Sequence, residues 1–143
     1  MIVAEKLSLR TVDYFASIGI DDGVFLSGFV DMTKGTACVA NFNKDRFKKL
    51  ANSKVVEDVR SLDDSVFDKV LANYSDDLNI RQLVRITDNF GMVLIQNVPN
   101  NKQKVLTRLL NNKAGIFDIW TLFNNRVGSC DLLFKVRKYN VNV

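Results

Sequence analysis

Short apolar runs alternate with polar connections rich in Asn and Asp along the whole chain, and the spacing within each run predicts its element. Residues 2–4 read as a short strand. Residues 9–18 place Leu9, Val12, Phe15 and Ala16 on one helical face, with Ser8 as cap and Gly19 as stop. Residues 24–30 and 36–40 are β-prone runs around a turn that ends in Gly35, the pattern of a hairpin. Asn43 then opens a helix with Phe47, Leu50 and Ala51 on one face and Lys44, Lys48 and Lys49 on the other. Residues 55–59 fit strand or helix. Ser61 to Asp64 resembles a capping box and predicts a helix to about Asn73, with Val66, Phe67, Val70 and Leu71 inward.

The second half follows a similar order. Residues 82–87 and 92–98 read as strands flanking Asp88-Asn89-Phe90-Gly91, a second hairpin, and Pro99 ends the later strand because it has no N–H for a ladder. Asn100 with Gln103 forms a capping box for a helix whose face is Val105, Leu106, Leu109 and Leu110 and which stops near Gly115. Residues 116–123 and 131–139 are strands about a turn at 124–129. The expected fold is therefore a single α+β domain over 1–143: a mostly antiparallel sheet built from two hairpins plus a C-terminal strand, with three or four helices packed mainly on one face. A weak ββαβ pseudo-repeat, 24–59 and 82–123, leaves two small subdomains as the alternative. The expected core is Phe29, Val39, Phe47, Leu50, Phe67, Leu71, Leu94, Leu106, Leu110, Ile119, Leu122 and Phe134.

Val93-Leu94-Ile95-Gln96-Asn97-Val98-Pro99 resembles the first strand of an RNA-recognition motif, and the helix, Gly115-Ile116 and strand that follow continue the resemblance to about residue 123. It implies a β-α-β unit. Leu or Ile stands where that family stacks an aromatic, and its basic-Gly-aromatic motif is missing around 130–136. No binding residue is carried over.

Composition narrows the chemistry. The chain has 143 residues, 47% hydrophobic and 25% charged, with no His. Lack of His removes Ser-His-Asp and Cys-His catalysis and every His-containing zinc site. Cys38 and Cys130 have no metal-ligand spacing and are expected as reduced, buried thiols. Neither a G-x-x-x-x-G-K-[ST] nor a G-x-G-x-x-G sequence occurs. The acidic pairs 21–22, 63–64 and 76–77 sit at turns or helix starts, where Asp satisfies free backbone N–H groups. Asp118, in an apolar run beside Trp120, leaves three readings: an edge position, a pair with Arg126, or a site. These observations predict no enzyme, no metal and no small-molecule cofactor.

Charge is unevenly distributed. Residues 1–80 hold 10 Lys and Arg against 13 Asp and Glu; residues 81–143 hold 10 against 3. That asymmetry, without a catalytic grouping, predicts a non-enzymatic interaction or assembly protein whose basic C-terminal half meets an acidic protein partner or a second copy. The Asn content and lack of His suggest an AT-rich coding sequence and hence a small viral or phage structural or host-interaction component. The alternative is an RNA or single-stranded DNA binder that uses a basic, aromatic sheet face. Either reading draws its contacts from Lys102, Lys104, Arg108, Arg126, Lys135, Arg137, Lys138 and Tyr139. With no apolar run of about 18 residues and no secretory leader, a cytoplasmic or virion-associated location is expected, neither secreted nor membrane-spanning.

Overall fold

The computed structural model describes residues 2–19, 33, 35–39, 53–56, 58–112, 115–122, 124 and 126–138. Seven strands join in one sheet: β1 (Tyr14–Ile18), β2 (Gly35–Val39), β3 (Ser53–Val56), β4 (Phe67–Asn73), β5 (Thr87–Pro99), β6 (Ile116–Leu122) and β7 (Ser129–Val136). Their order across the sheet is β3-β2-β1-β4-β5-β7-β6. Every pair from β3 to β5 is parallel, and β7 runs antiparallel to both β5 and β6. The described helices are α1 (Ile2–Lys6), α2 (Ile80–Ile86) and α3 (Asn100–Asn111). None of them is long and apolar enough to cross a membrane.

This overturns the expected antiparallel sheet of two hairpins with helices on one face. β2 is flanked on both sides by parallel neighbours, β1 and β3, so it has no hairpin partner. Residues 24–30, its expected mate, lie outside the described residues, as do those of the helix expected from Asn43. The second hairpin fails for a different reason: residues 80–86 are helix α2, and β5 continues through the expected turn at 88–91. The first two segments exchange identities, since 2–6 is helical and 14–18 is a strand. Residues 67–73, expected as helix, form a central strand.

One physical cause underlies these exchanges. Parallel strands buried on both faces read as continuous apolar runs, and a short run of that kind cannot be told from a buried helical turn by periodicity. In β4, Val70, Leu71 and Ala72 are all fully buried, as are Val93, Leu94 and Ile95 in β5. Alternate residues serve two cores. On one face Val70, Ala72, Val93, Ile95, Leu132 and Phe134 pack with Ile80, Leu83, Ile86 and Leu110 from α2 and α3. On the other, Phe15, Leu71, Leu94 and Leu133 pack with Val3, Ala4 and Leu7 of the α1 region. Full burial of each Val, Leu, Ile or Phe side chain among them stabilises by about 1.5–3 kcal/mol. Of the expected core, Phe67, Leu71, Leu94, Leu110 and Phe134 are buried, and Leu106, Ile119 and Leu122 pack at its margins.

Both faces of β5 are occupied, so it has no open platform of the kind an RNA-recognition motif presents. The cap of α3 also differs from expectation: Pro99 is its N-cap and makes no side-chain hydrogen bond. α2 is capped conventionally, Asn79 Oδ1 accepting from the Gln82 N–H at 3.3 Å. Thr87 turns α2 directly into β5, its hydroxyl donating to the Leu83 carbonyl at 2.6 Å.

Candidate functional site

In an open sheet of this kind a crevice forms beyond the carboxyl ends of the two strands at which the strand order reverses. Here β1 and β4 are adjacent and parallel. β1 ends at Ile18 and is followed by Gly19 at φ +75°, a left-handed backbone that glycine adopts without steric cost. A Cβ at that position would sit 3.9 Å from the Asn73 carbonyl oxygen, so Gly19 directly adjoins the end of β4. Ser17, opposite Leu71 in the ladder, is 1% exposed, and its Oγ has no hydrogen-bond partner among the described residues. The end of β1 therefore combines a turn of special geometry at Gly19 with a buried hydroxyl two residues earlier that has no partner among the described residues.

A polar network extends from this point toward β7. Asn73 Oδ1 accepts from Asn97 Nδ2 at 2.8 Å. Asn97 has φ +59° and lies in the stretch of β5 where the pairing with β7 shifts register. Its backbone N–H donates to Asp131 Oδ1 at 3.1 Å, and Asn124 Nδ2 donates to the same oxygen at 2.9 Å. The other carboxylate oxygen accepts from Lys6 Nζ at 2.8 Å. Asp131 is 2% exposed, and these donors compensate its burial. Five separate segments, α1, β4, β5, the β6–β7 connection and β7, thus meet at one rim of the sheet.

Two further groups border the rim. Asp58 follows β3 and accepts from the Arg60 backbone N–H and guanidinium, which hold its carboxyl below the usual range. Tyr74 follows β4; desolvation, with Asp76 close by, pushes its hydroxyl up, and that hydroxyl donates to Asp76 Oδ1 at 3.3 Å. Among the described residues no group of three or more His, Cys, Asp or Glu could hold a metal ion.

The residues expected from the basic half do not converge. Lys102 and Lys104 lie in the first turns of α3, and Arg126 lies in the connection before β7, so these three belong to the same end of the sheet as the crevice. Arg108 is further down α3. Lys135, Arg137 and Lys138 fall at the far end of β7, which runs the opposite way. Lys135 Nζ stands 5.6 Å from the centre of the Trp120 ring. Lys138 Nζ donates to Ser65 Oγ at 2.8 Å and to the Arg85 carbonyl at 2.7 Å, a partly buried structural tie. Tyr139 lies outside the described residues. Asp118 is exposed on the edge strand β6 at φ +52°, the edge reading among the three expected. Cys130 is a buried free thiol that burial pushes up.

Sequence reasoning did not select Gly19, Asn73, Asn97 or Asp131 as site residues. The signal for Asp131 was present: a carboxylate between Cys130 and the apolar run Leu132-Leu133-Phe134. Gly19, expected as a helix stop, has the positive φ such a stop needs but follows a strand.

No family model matches this chain, and no curated protein matches it in sequence. Solved structures do. The tRNA (m1A58) methyltransferase TrmI from Aquifex aeolicus superposes with a TM-score of 0.76 at 12% identity, over 96% of this chain and 67% of that one. The N-methyltransferase NodS from Bradyrhizobium japonicum, in complex with S-adenosyl-l-homocysteine, gives 0.69 at 13% identity, over 97% and 84%. Precorrin-6y C5,15-methyltransferase from Geobacter metallireducens gives 0.68 at 13%, over 95% and 86%. The chain has the fold of these methyltransferases.

That finding corrects the functional expectation. A non-enzymatic viral or phage assembly component is not what a fold shared throughout with enzymes indicates, and nothing in the structure or the comparisons points to a viral or structural role. The expectation of no enzyme and no small-molecule cofactor is at odds with the same finding: the neighbours on this fold are methyltransferases, and NodS holds S-adenosyl-l-homocysteine.

Proposed function

We propose that this chain binds an S-adenosyl ligand in the crevice beyond β1 and β4 and transfers a methyl group to an acceptor at that rim. The observation that carries the reading is the strand order β3-β2-β1-β4-β5-β7-β6, with its turning point at Gly19 and Asn73, on a fold shared with methyltransferases. The residues present fit such a ligand in two respects. Gly19 supplies a turn with no side chain over the end of β4, and the buried Ser17 hydroxyl has no partner among the described residues. When bound, S-adenosylmethionine supplies a methyl on positively charged sulfur; a bond from carbon to the acceptor forms, the sulfur–carbon bond breaks, and sulfur keeps the electron pair.

The chain's own groups would hold and orient. Gly19 lets the β1 turn adjoin the ligand, Asn73 offers amide donors and an acceptor at the end of β4, and Asp131 with Lys6 fixes the neighbouring β5 backbone through Asn97. Among the described residues, Lys102, Lys104 and Arg126 lie at the crevice end of the sheet and Lys135, Arg137 and Lys138 at the other, so these six do not form one surface.

Calorimetric titration with S-adenosyl-l-homocysteine tests the reading. One-to-one binding is expected, weakened at least about tenfold by Gly19→Val, because a β-branched residue is strained at positive φ. Asn73→Ala, which leaves the β1 turn intact, should weaken it as well. Folded wild-type protein that takes up no ligand at about 1 mM ends the proposal.

A further inference from the structure

Asn97 has a backbone that a regular strand does not use. Between the pairs Ile95–Leu132 and Val98–Cys130, two residues of β5, Gln96 and Asn97, stand against the single Asp131 of β7, which makes a bulge. Gln96 is opposite Asn73 on β4, so in a regular strand Gln96 would share Asn73's face and Asn97 would take the other. At φ +59° Asn97 departs from that alternation, and its side chain reaches Asn73, Nδ2 donating to Asn73 Oδ1 at 2.8 Å. A left-handed backbone costs a residue other than glycine free energy. Here it is held by the Asn97 N–H, which donates to the buried Asp131 carboxylate at 3.1 Å, and Asp131 is braced in turn by Lys6 and Asn124.

That bond decides what Asn73 has left to offer. A carboxamide carries an accepting oxygen and a donating nitrogen on diverging arms of one plane. With Oδ1 turned to β5, Nδ2 is turned away from it, and among the described residues it donates to nothing. Asn73 is half-buried, and its backbone carbonyl borders Gly19, so the spare donor stands at the crevice end of β4.

We infer that Asn97 is a positioning residue for the crevice: it locks the Asn73 carboxamide so that Nδ2, and not Oδ1, is presented to the S-adenosyl ligand and donates to one of its oxygens. The inference rests on the reading of the crevice as an S-adenosyl site, and it adds the polarity of the contact and the residue that sets it. It also accounts for the bulge, which re-aims one side chain at the point where β4 ends.

Two measurements on the full chain test it. In the free, isotope-labelled protein, scalar coupling through the hydrogen bond should run from Asn97 Nδ2 to Asn73 Cγ; coupling from Asn73 Nδ2 to Asn97 Cγ, or none, overturns the inference. Calorimetric titration with S-adenosyl-l-homocysteine, in about 0.5 M salt to screen added charge, reads the consequence. Asn73→Asp keeps the acceptor that Asn97 uses and removes the donor, so it should melt near wild type yet bind at least about tenfold more weakly. Asn97→Asp accepts only and turns the Asn73 carboxamide round, with a loss of similar size. Asn97→Gly keeps the backbone and frees the carboxamide, and should lose about threefold. A purely structural role would make affinity follow melting temperature across the three variants; the positioning role sets Asn73→Asp apart, stable but weak. Wild-type affinity in Asn73→Asp or in Asn97→Gly overturns the inference and leaves the crevice reading standing, whereas a wild type that takes up no ligand removes that reading and this inference with it.

Discussion

Lys6 Nζ lies 2.8 Å from Asp131 Oδ2, joining α1 to the start of β7 across 125 positions of sequence. The Asp131 side chain is 2% exposed and the Lys6 side chain 17%, so the pair sits in low dielectric and is little screened by salt. Removing the two partners should have unequal consequences. Lys6→Met leaves Asp131 with the Asn97 and Asn124 donors and should cost about 1.5–3 kcal/mol, the range for a hydrogen bond to a charged group. Asp131→Ala leaves Lys6 partly buried and two amide donors unpaired, and should cost about 3–5 kcal/mol. Urea unfolding of both variants measures the difference; equal losses would show that the two amide donors contribute nothing.

Asn97 separates backbone from side chain in the same network. Its φ of +59° favours glycine, tolerates Asn, and penalises alanine and β-branched residues more heavily. Asn97→Gly keeps the backbone and loses only the 2.8 Å bond to Asn73, so its stability should fall by no more than about 1 kcal/mol. Asn97→Ala should lose more, and Asn97→Val the most, by at least about 2 kcal/mol. Thermal melts rank the three. An Asn97→Val protein as stable as Asn97→Gly would mean that the bulge is not a constraint on this strand.

Some of this fold was legible in the chain, and particular residues show where legibility stops. The strand over Ile116–Leu122 and the helix from Asn100 agree with the expectation, because their lengths and apolar spacing admit one reading. Phe67-Asp68-Lys69-Val70-Leu71 does not, since its apolar positions at i, i+3 and i+4 suit a helix as well as a strand buried on both sides. The parallel arrangement was invisible for a further reason: it is set by connections that cross the sheet, and the run at 36–40 carries no local sign of which neighbour it will pair with. Tertiary placement also dispersed the expected basic site. Lys102 and Lys135 are close in composition but sit on elements that run in opposite directions from different ends of the sheet. The candidate crevice rests on Gly19, Asn73, Asn97 and Asp131, ordinary residue types whose role arises only when β1, β4, β5 and β7 lie side by side.

Gly91 is required by close packing. A Cβ there would lie 2.6 Å from Thr87 Cγ2 and 2.9 Å from both the Asp68 and Asp88 carbonyl oxygens. Two of those three contacts are backbone, at the place where the β4–β5 register shifts, so no side-chain rotation relieves them. Gly91→Ala should destabilise by about 2–3 kcal/mol or more, at the upper end for overpacking. Thr87→Ser removes the methyl at 2.6 Å and should recover only part of the loss. Complete recovery in that double variant would place the whole clash on the methyl and contradict the backbone account.

Lys69 gives a pH dependence with a definite sign. It lies in β4 with its Nζ 3.9 Å from Asp13 Oδ2 and within 3.7 Å of Met92 Sδ, and its side chain is 10% exposed. Burial lowers its pKa from 10.5; Arg10 and Lys135 lower it further, and Asp13 and Asp68 act against them without reversing the direction. The folded chain therefore releases this proton at lower pH than the unfolded chain does. Between the folded value and 10.5 the unfolded state holds more protons, so Lys69's contribution makes folding more favourable as pH rises through that window. The urea midpoint of wild type should accordingly rise relative to Lys69→Met as pH increases toward 10.5. Asp13→Asn removes the largest influence raising the Lys69 pKa and should move its titration to still lower pH, read directly from the ¹³Cε shifts of labelled lysine. A Lys69 resonance that titrates together with the bulk of the lysines, or that moves to higher pH in Asp13→Asn, would refute the assignment of burial as the dominant influence.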